Sequence, residues 1–240
     1  MKAICLDFDN TLQDLDSAFE VAVKTIWLPL ASRYERDPGD LKPALYECWP
    51  LLWQEFIAGT RAAVTLYPEW FHRAFQVLAL PLSNSEVDEV VRQYDVVFEN
   101  ALYLYSDVIP TLNRLAGWAE PPGLAILTNG PSERQRHRIK ARGLERVIPV
   151  WCISEEIGAS KPQPEFFWDA LRTLDVGPVD AVMIGDDLDT DIIGAKAVGM
   201  KAIWLNRHGL ESPNQDCADG IATNLIEAIR IIESWSVAPL

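Results

Sequence analysis

This chain is poor in the residues that make the simpler kinds of site. It has four cysteines, Cys5, Cys48, Cys152 and Cys217, and no two share the paired spacing of a zinc site or a redox motif. Cys5 and Cys152 lie inside apolar runs, so buried reduced thiols are expected. The three histidines, His72, His137 and His208, show no metal-ligand spacing. No apolar run approaches the roughly 18 residues of a membrane span, and no repeat or low-complexity tract occurs. Positive charge is also scarce. The balance of 21 Lys and Arg against 35 Asp and Glu gives a net charge of −14, which opposes general binding to nucleic acid or anionic membranes. An anionic substrate would need a local cation to reverse that field. Met1-Lys2 leads straight into a strand-like run, without a signal peptide's apolar core and cleavage site, so a soluble cytoplasmic protein is expected.

What is present is a foldable chain of 240 residues, 49% hydrophobic and 23% charged, long enough for one large domain or for a core with an inserted module. Its organising stretch is Leu6-Asp7-Phe8-Asp9-Asn10-Thr11-Leu12, directly after the apolar Ala3-Ile4-Cys5. An apolar run ending abruptly in two acids predicts a buried parallel strand that delivers carboxylates to the ligand-binding edge of a sheet. Strand alternation puts Asp7 and Asp9 on one face. Two like charges there call for a cation or a shared proton.

From about residue 15 to 103 the pattern is helical. Ser17 and Glu20 suggest a capping box, and Pro29 is expected to kink or end that helix early. Further helices are predicted over Leu41–Ala58, over Pro68–Leu80 and from Ser85 with Asp88, the last with a stripe of Val87, Val90, Val91, Tyr94 and Phe98. The many aromatic rings here are read as helix packing rather than as a ligand cage. After Ser106, apolar runs at 124–127, 150–153, 181–184 and 202–205 alternate with helical segments at about 132–142, 164–174 and 188–198. That alternation predicts an α/β fold, a parallel sheet with helices on both faces. Residues 1–14 and 104–240 would then form the core, and 15–103 an inserted helical module.

Each strand ends in polar residues that parallel strands bring to the same edge: Asp7 and Asp9, Thr128 and Asn129, and the acidic loop Asp186 to Asp191, with Lys161 in a loop after the third strand. Carboxylates, a hydroxyl, an ammonium and strand-end amides are what phosphoryl transfer through an aspartyl phosphate requires. A hard cation held by oxygen ligands fits Mg²⁺. The acidic loop imitates an EF-hand at Asp187, Asp189 and Asp191, but Ile192 and Val198 stand where that motif needs Gly and Glu. The basic run Arg134, Arg136, His137, Arg138, Lys140 and Arg142 is read as a solvated helix face.

In chain order, Asp7-Phe8-Asp9-Asn10-Thr11, Leu127-Thr128-Asn129, Lys161-Pro162 and Gly185-Asp186-Asp187 with Asp191 resemble the four motifs of the haloacid dehalogenase-like hydrolases. The likeness extends into Gly130 with Gln135, Pro164 to Leu171 and Asp191 to Trp204. It implies a Rossmann-like core with an all-α cap inserted after the first strand. It also implies Asp7 as nucleophile and as a Mg²⁺ ligand, and Asp9 as general acid and base with its backbone carbonyl on the metal. Thr128, Asn129 and Lys161 would lie on the phosphoryl group, and Asp186 would be the third protein ligand, with Asp187 and Asp191 ordering the shell. Relatives that cleave carbon–halogen bonds lack an acid at the position of Asp9, which favours phosphate chemistry on a small phosphomonoester such as a nucleotide or sugar phosphate. Arg61, in a loop between helices, is a candidate contact for an anionic substrate group, a solvated arginine being the plainer reading. Phosphotransfer to an acceptor on the same scaffold is the alternative to hydrolysis, with dehalogenation and non-catalytic binding behind it. Oligomeric state is not legible.

Overall fold

The computed structural model describes residues 1–211 and 215–235. The chain divides into two compact units, Leu15–Leu102 and the combination of Met1–Asp14 with Tyr103–Leu240. The second unit opens with β1 (Ala3–Leu6), which is wholly buried.

The first unit holds four helices, α1 (Leu15–Arg33), α2 (Leu41–Ile57), α3 (Ala63–Val77) and α4 (Asn84–Ala101). Four local expectations are corrected. Helix α1 starts two residues ahead of Ser17, and it runs through Pro29 to Arg33. Burial of Ile26, Trp27 and Ala31 outweighs the one N–H that proline removes. Helix α3 starts ahead of Pro68, which lies inside it. The cap of α4 is Ser83 rather than Ser85: Ser83 Oγ accepts the Glu86 N–H at 3.4 Å and Glu86 Oε2 accepts the Ser83 N–H at 2.9 Å, a reciprocal pair. The expected stripe of α4 is buried in full. The rings of α2 and α3 pack on one another, with Trp49 and Trp70 centroids 4.5 Å apart, and the buried Trp70 Nε1 donates to the Leu45 carbonyl at 2.7 Å.

The second unit continues with α5 (Val108–Ala116), β2 (Gly123–Thr128), α6 (Ser132–Ala141), β3 (Val150–Ile153), α7 (Ser154–Ile157), α8 (Pro164–Leu174), β4 (Ala181–Gly185), α9 (Gly194–Ala197), β5 (Lys201–Leu205), β6 (Gly220–Ala222) and α10 (Leu225–Trp235). All neighbouring strands are parallel, in the order β3-β2-β1-β4-β5-β6. This is a doubly wound, Rossmann-like sheet whose order reverses at β1, the point where such sheets bind ligands. Side chains alternate between two apolar layers. Ile4, Leu6, Ile126 and Ile184 enter one, and Ala3, Cys5, Leu127 and Met183 enter the other. All four cysteines are free thiols, and burial pushes Cys152 up to about 12, leaving it an inert packing residue.

Two further expectations change. The helix predicted over 188–198 is a wide π turn, Leu188–Ile193, followed by the short α9. The basic helix α6 is not solvated throughout: Arg138 is buried, and Arg136 pairs with Glu156 at 2.5 Å while lying over the Trp151 ring. No described helix is long and apolar enough to cross a membrane.

Candidate active site

Register places the strand ends side by side, with Leu6 opposite both Ile126 and Ile184. Asp7 therefore leaves the sheet beside Leu127-Thr128 and Gly185-Asp186. Its backbone N–H is fixed by the Ile184 carbonyl at 2.9 Å.

Lys161 reaches this edge from its loop and is 5% exposed, as deeply buried as a core residue. Its Nζ donates to Asp7 Oδ1 at 2.5 Å, to Asp191 Oδ1 at 2.6 Å and to the Leu127 carbonyl at 3.0 Å, which uses all three ammonium hydrogens. The lysine is not a solvated loop charge. Asp191 comes from the π turn. Its Oδ2 accepts the Asp187 N–H at 3.2 Å, so both of its oxygens are engaged by protein. Gly185 makes that possible, because a Cβ there would lie 2.1 Å from Asp191 Oδ2. Asp187 caps the π turn by accepting the Thr190 N–H at 2.7 Å.

Asp7, Asp186 and Asp191 bring one carboxylate oxygen each to within 4.8 Å of one another. Three acids share one ammonium there. Burial raises the Asp7 carboxyl against the pull of Lys161. Burial, then Asp7, then Asp191 lift Asp186 well above the usual carboxylate range. Asp191 is pushed up to about 7 by burial, with Lys161 opposing. Burial works against the Lys161 charge, but Asp191 and Asp7 outweigh it and hold the ammonium above its ordinary value. A half-buried Asp186 with its surplus negative charge, in an all-oxygen donor set, fits a hard divalent cation. Thr11 Oγ1 donates to Asp186 Oδ1 at 3.2 Å, and Trp204 Nε1 donates to the Asp186 carbonyl at 2.8 Å, so the loop is pinned on both sides.

The Asp9 carboxylate is not among those three. It is held by amides: Gln13 Nε2 at 2.6 Å on Oδ1 and Gln135 Nε2 at 2.9 Å on Oδ2. Gln135 Nε2 also donates to Thr128 Oγ1 at 2.7 Å. Thr128 is thereby tied to Asp9, two side chains distant in sequence but joined through one amide. The Asn129 side chain turns to the backbone of Lys161, donating to its carbonyl and accepting its N–H, both at 2.9 Å. Arg61 belongs to the helical unit, where its guanidinium is bound by Glu55 at 2.6 Å. The motif spacing gave no role to Gln13, and it marked Gln135 only as a point of likeness; a buried glutamine one helical turn inside α6, next to a strand end, was the available signal.

A family model described as haloacid dehalogenase-like hydrolase matches residues 1–199. The chain is 38% identical over 223 residues to a glyceraldehyde 3-phosphate phosphatase of Methanopyrus kandleri, covering 90% of each. It is 30% identical over 241 residues to the enzyme of the same name from Pyrococcus furiosus, covering 97% of this chain and 93% of the relative. Its fold matches the magnesium-bound crystal structure of a putative HAD-hydrolase from Bacillus subtilis with a TM-score of 0.75 at 20% identity, over 96% of this chain and 98% of that one. With the doubly wound sheet, the buried Lys161 and the strand-end acids, these matches establish that the chain belongs to the haloacid dehalogenase-like hydrolases and is an enzyme of their phosphatase branch.

Proposed function

We propose that the protein is a Mg²⁺-dependent phosphomonoester hydrolase that works through a covalent phosphoryl group on Asp7, with a small sugar-phosphate-like metabolite as substrate. One observation carries this reading. Two carboxylates at one strand end have opposite surroundings: Asp7 is bound to a buried ammonium, whereas Asp9 is bound only to neutral amides among the described contacts. Acids separated in this way suit separate tasks, nucleophile and proton carrier.

Lys161 holds Asp7 Oδ1 and leaves Oδ2 to attack phosphorus. As the P–O ester bond breaks, Asp9 gives a proton to the departing oxygen. Water then attacks the phosphorus of the aspartyl phosphate while Asp9 takes a proton from it. Phosphate leaves and the Asp7 carboxylate is restored. Thr128 Oγ1 and the Asn129 N–H supply hydrogen bonds to the phosphoryl oxygens. Asp7, Asp186 and the Asp9 carbonyl would hold Mg²⁺, with Asp187 and Asp191 ordering its shell; when bound, the ion offsets the charge of the transferring group. The helical unit is assigned as the inserted cap that selects the organic part of the substrate, and Arg61 as a contact for an anionic group on it.

The relatives named for glyceraldehyde 3-phosphate make that ester the first to assay. Turnover with Mg²⁺, its loss in EDTA, and an acid-stable, hydroxylamine-labile ³²P label that Asp7→Asn lacks are the expected results. A labelled Asp7→Asn variant, or one with near-normal turnover, sinks the nucleophile assignment.

A further inference from the structure

We propose that Gln13 and Gln135 are positioning residues that clamp the Asp9 carboxylate through both of its oxygens, and that Gln135 also turns the Thr128 hydroxyl hydrogen toward the phosphoryl group. This rests on the reading of Asp9 as the acid and base. The two amides come from different parts of the core. Gln13 folds back through a tight turn in which its N–H meets the Phe8 carbonyl at 3.1 Å and its carbonyl accepts the Asn10 N–H at 2.7 Å. Gln135 comes from the first half of α6. Gly130 gives it room: this residue has φ +146°, and a Cβ there would stand 3.3 Å from Gln135 Nε2.

Both glutamines are buried, at 0% and 2% exposure, and the Oε1 of each has no protein partner among the described residues. Burying an amide oxygen without a bond is costly. A glutamine kept only for packing would satisfy both ends or be replaced by methionine. These two satisfy only their donor ends, and both donor ends meet Asp9. The asymmetry points to Asp9 as what the amides are there to hold.

The clamp leaves the chemistry open. Each carboxylate oxygen has two lone pairs, so one N–H on each fixes the plane of Asp9 and leaves a lone pair on each oxygen for the proton. The second N–H of Gln135 enters Thr128 Oγ1 at 2.7 Å, which makes that oxygen an acceptor; the hydroxyl's own hydrogen meets the Asn129 carbonyl only at a long 3.5 Å, a contact that a phosphoryl oxygen can replace.

The test is leaving-group dependence in Gln13→Met and Gln135→Met. Protonation matters for an alkyl ester and little for p-nitrophenyl phosphate, whose leaving group departs as the anion. The expected result is a fall in kcat/KM for the alkyl ester of about 10- to 100-fold, against less than about threefold for p-nitrophenyl phosphate in Gln13→Met. In Gln135→Met the same ratio changes on top of a KM rise common to both esters, because Thr128 is also released. The substrate ratio is read on one preparation, so partly unfolded protein cancels. A second readout comes from the base half of the cycle: a pre-steady-state burst of p-nitrophenolate should appear in Gln13→Met as hydrolysis of the aspartyl phosphate slows. An unchanged ratio with no burst in both variants, beside an active wild type, overturns the clamp. A wild type that turns over neither ester with Mg²⁺ overturns the phosphatase mechanism itself, and the clamp with it.

Discussion

The side chain of Asn129 brackets the peptide of Lys161: Nδ2 donates to the Lys161 carbonyl at 2.9 Å, and Oδ1 accepts the Lys161 N–H at 2.9 Å. The residue after Thr128 therefore sets the height of the lysine that meets Asp7. Asn129→Ala removes both bonds, and it should lower stability by about 1–3 kcal/mol and kcat/KM by about 10- to 100-fold. Asn129→Asp should be worse, because it presents an acceptor to the Lys161 carbonyl. Melting curves taken with the kinetics decide the matter. A rise in KM with an unchanged melting temperature would mean that Asn129 acts on the substrate and not on the loop.

Lys161 neutralises two acids that have no other cation among the described contacts. Lys161→Met leaves Asp7 and Asp191 buried and uncompensated, at a cost of about 3–5 kcal/mol. Adding Asp191→Asn should recover part of that stability without restoring activity. The deficit should shrink on acidification, since protonated carboxyls need no counterion. Denaturant titrations at pH 5.5 and pH 8 test this, and a single variant that unfolds no more easily than the wild type at pH 8 rejects the ion-pair account.

The raised carboxyls also predict how Mg²⁺ and pH are linked. An unfolded aspartate titrates near ~3.9, whereas Asp191 is pushed up to about 7 and Asp186 is raised well above the usual range. The folded, metal-free site thus binds protons more tightly than the unfolded chain. Its contribution to stability is full below pH ~4 and is lost as pH rises through about 7. A divalent cation binds the deprotonated site and replaces those protons, so the rise in melting temperature on adding Mg²⁺ should grow between pH 5.5 and pH 8. A shift that is flat or declines with pH would remove this cluster as the metal site.

Much of this arrangement was legible in the sequence, because β1 to β5 are short apolar runs cut off by polar residues and a parallel sheet carries those ends to one edge. The helix at Pro164–Leu174 could be read to the residue from its proline start and apolar face. The helix starts in the first unit differ from those expected at Ser17 and Pro68, both of which lie inside helices with buried apolar faces, and at Ser85, where Ser83, two residues earlier, forms the capping box. The strand Gly220–Ala222 escaped notice, since three residues at a sheet edge carry no period. In the site, the acids and Lys161 were visible as motif residues. The amides on Asp9 were not, because glutamine carries no charge pattern and its role arises only when the turn at residues 8–13 and the start of α6 meet.

Arg207 was invisible for the same reason, and it supports the last prediction. It sits at the end of β5, with Nη2 on the Thr11 carbonyl at 2.8 Å, its guanidinium on both oxygens of Asp107 at 3.1 Å, and its plane 3.9 Å from the Tyr105 ring centroid. Asp107 in turn accepts the Leu225 N–H at 2.7 Å, which joins the start of α10 to the same knot. Thr11 is the residue whose hydroxyl reaches Asp186. Arg207→Met keeps the aliphatic stem but leaves Asp107 without its cation, so stability should fall by about 3 kcal/mol or more. If the knot also holds the Asp7 loop in register with Asp186, the apparent Mg²⁺ affinity measured from activity should weaken by about 10-fold or more, in line with loss of an outer partner at a metal site. Arg207→Lys should be intermediate, because one ammonium can meet Asp107 but cannot fork to Thr11 as well. A variant that melts earlier yet binds Mg²⁺ like the wild type would show that Arg207 secures α10 alone, and that the loop carrying Asp7 and Asp9 is held by β1 without its help.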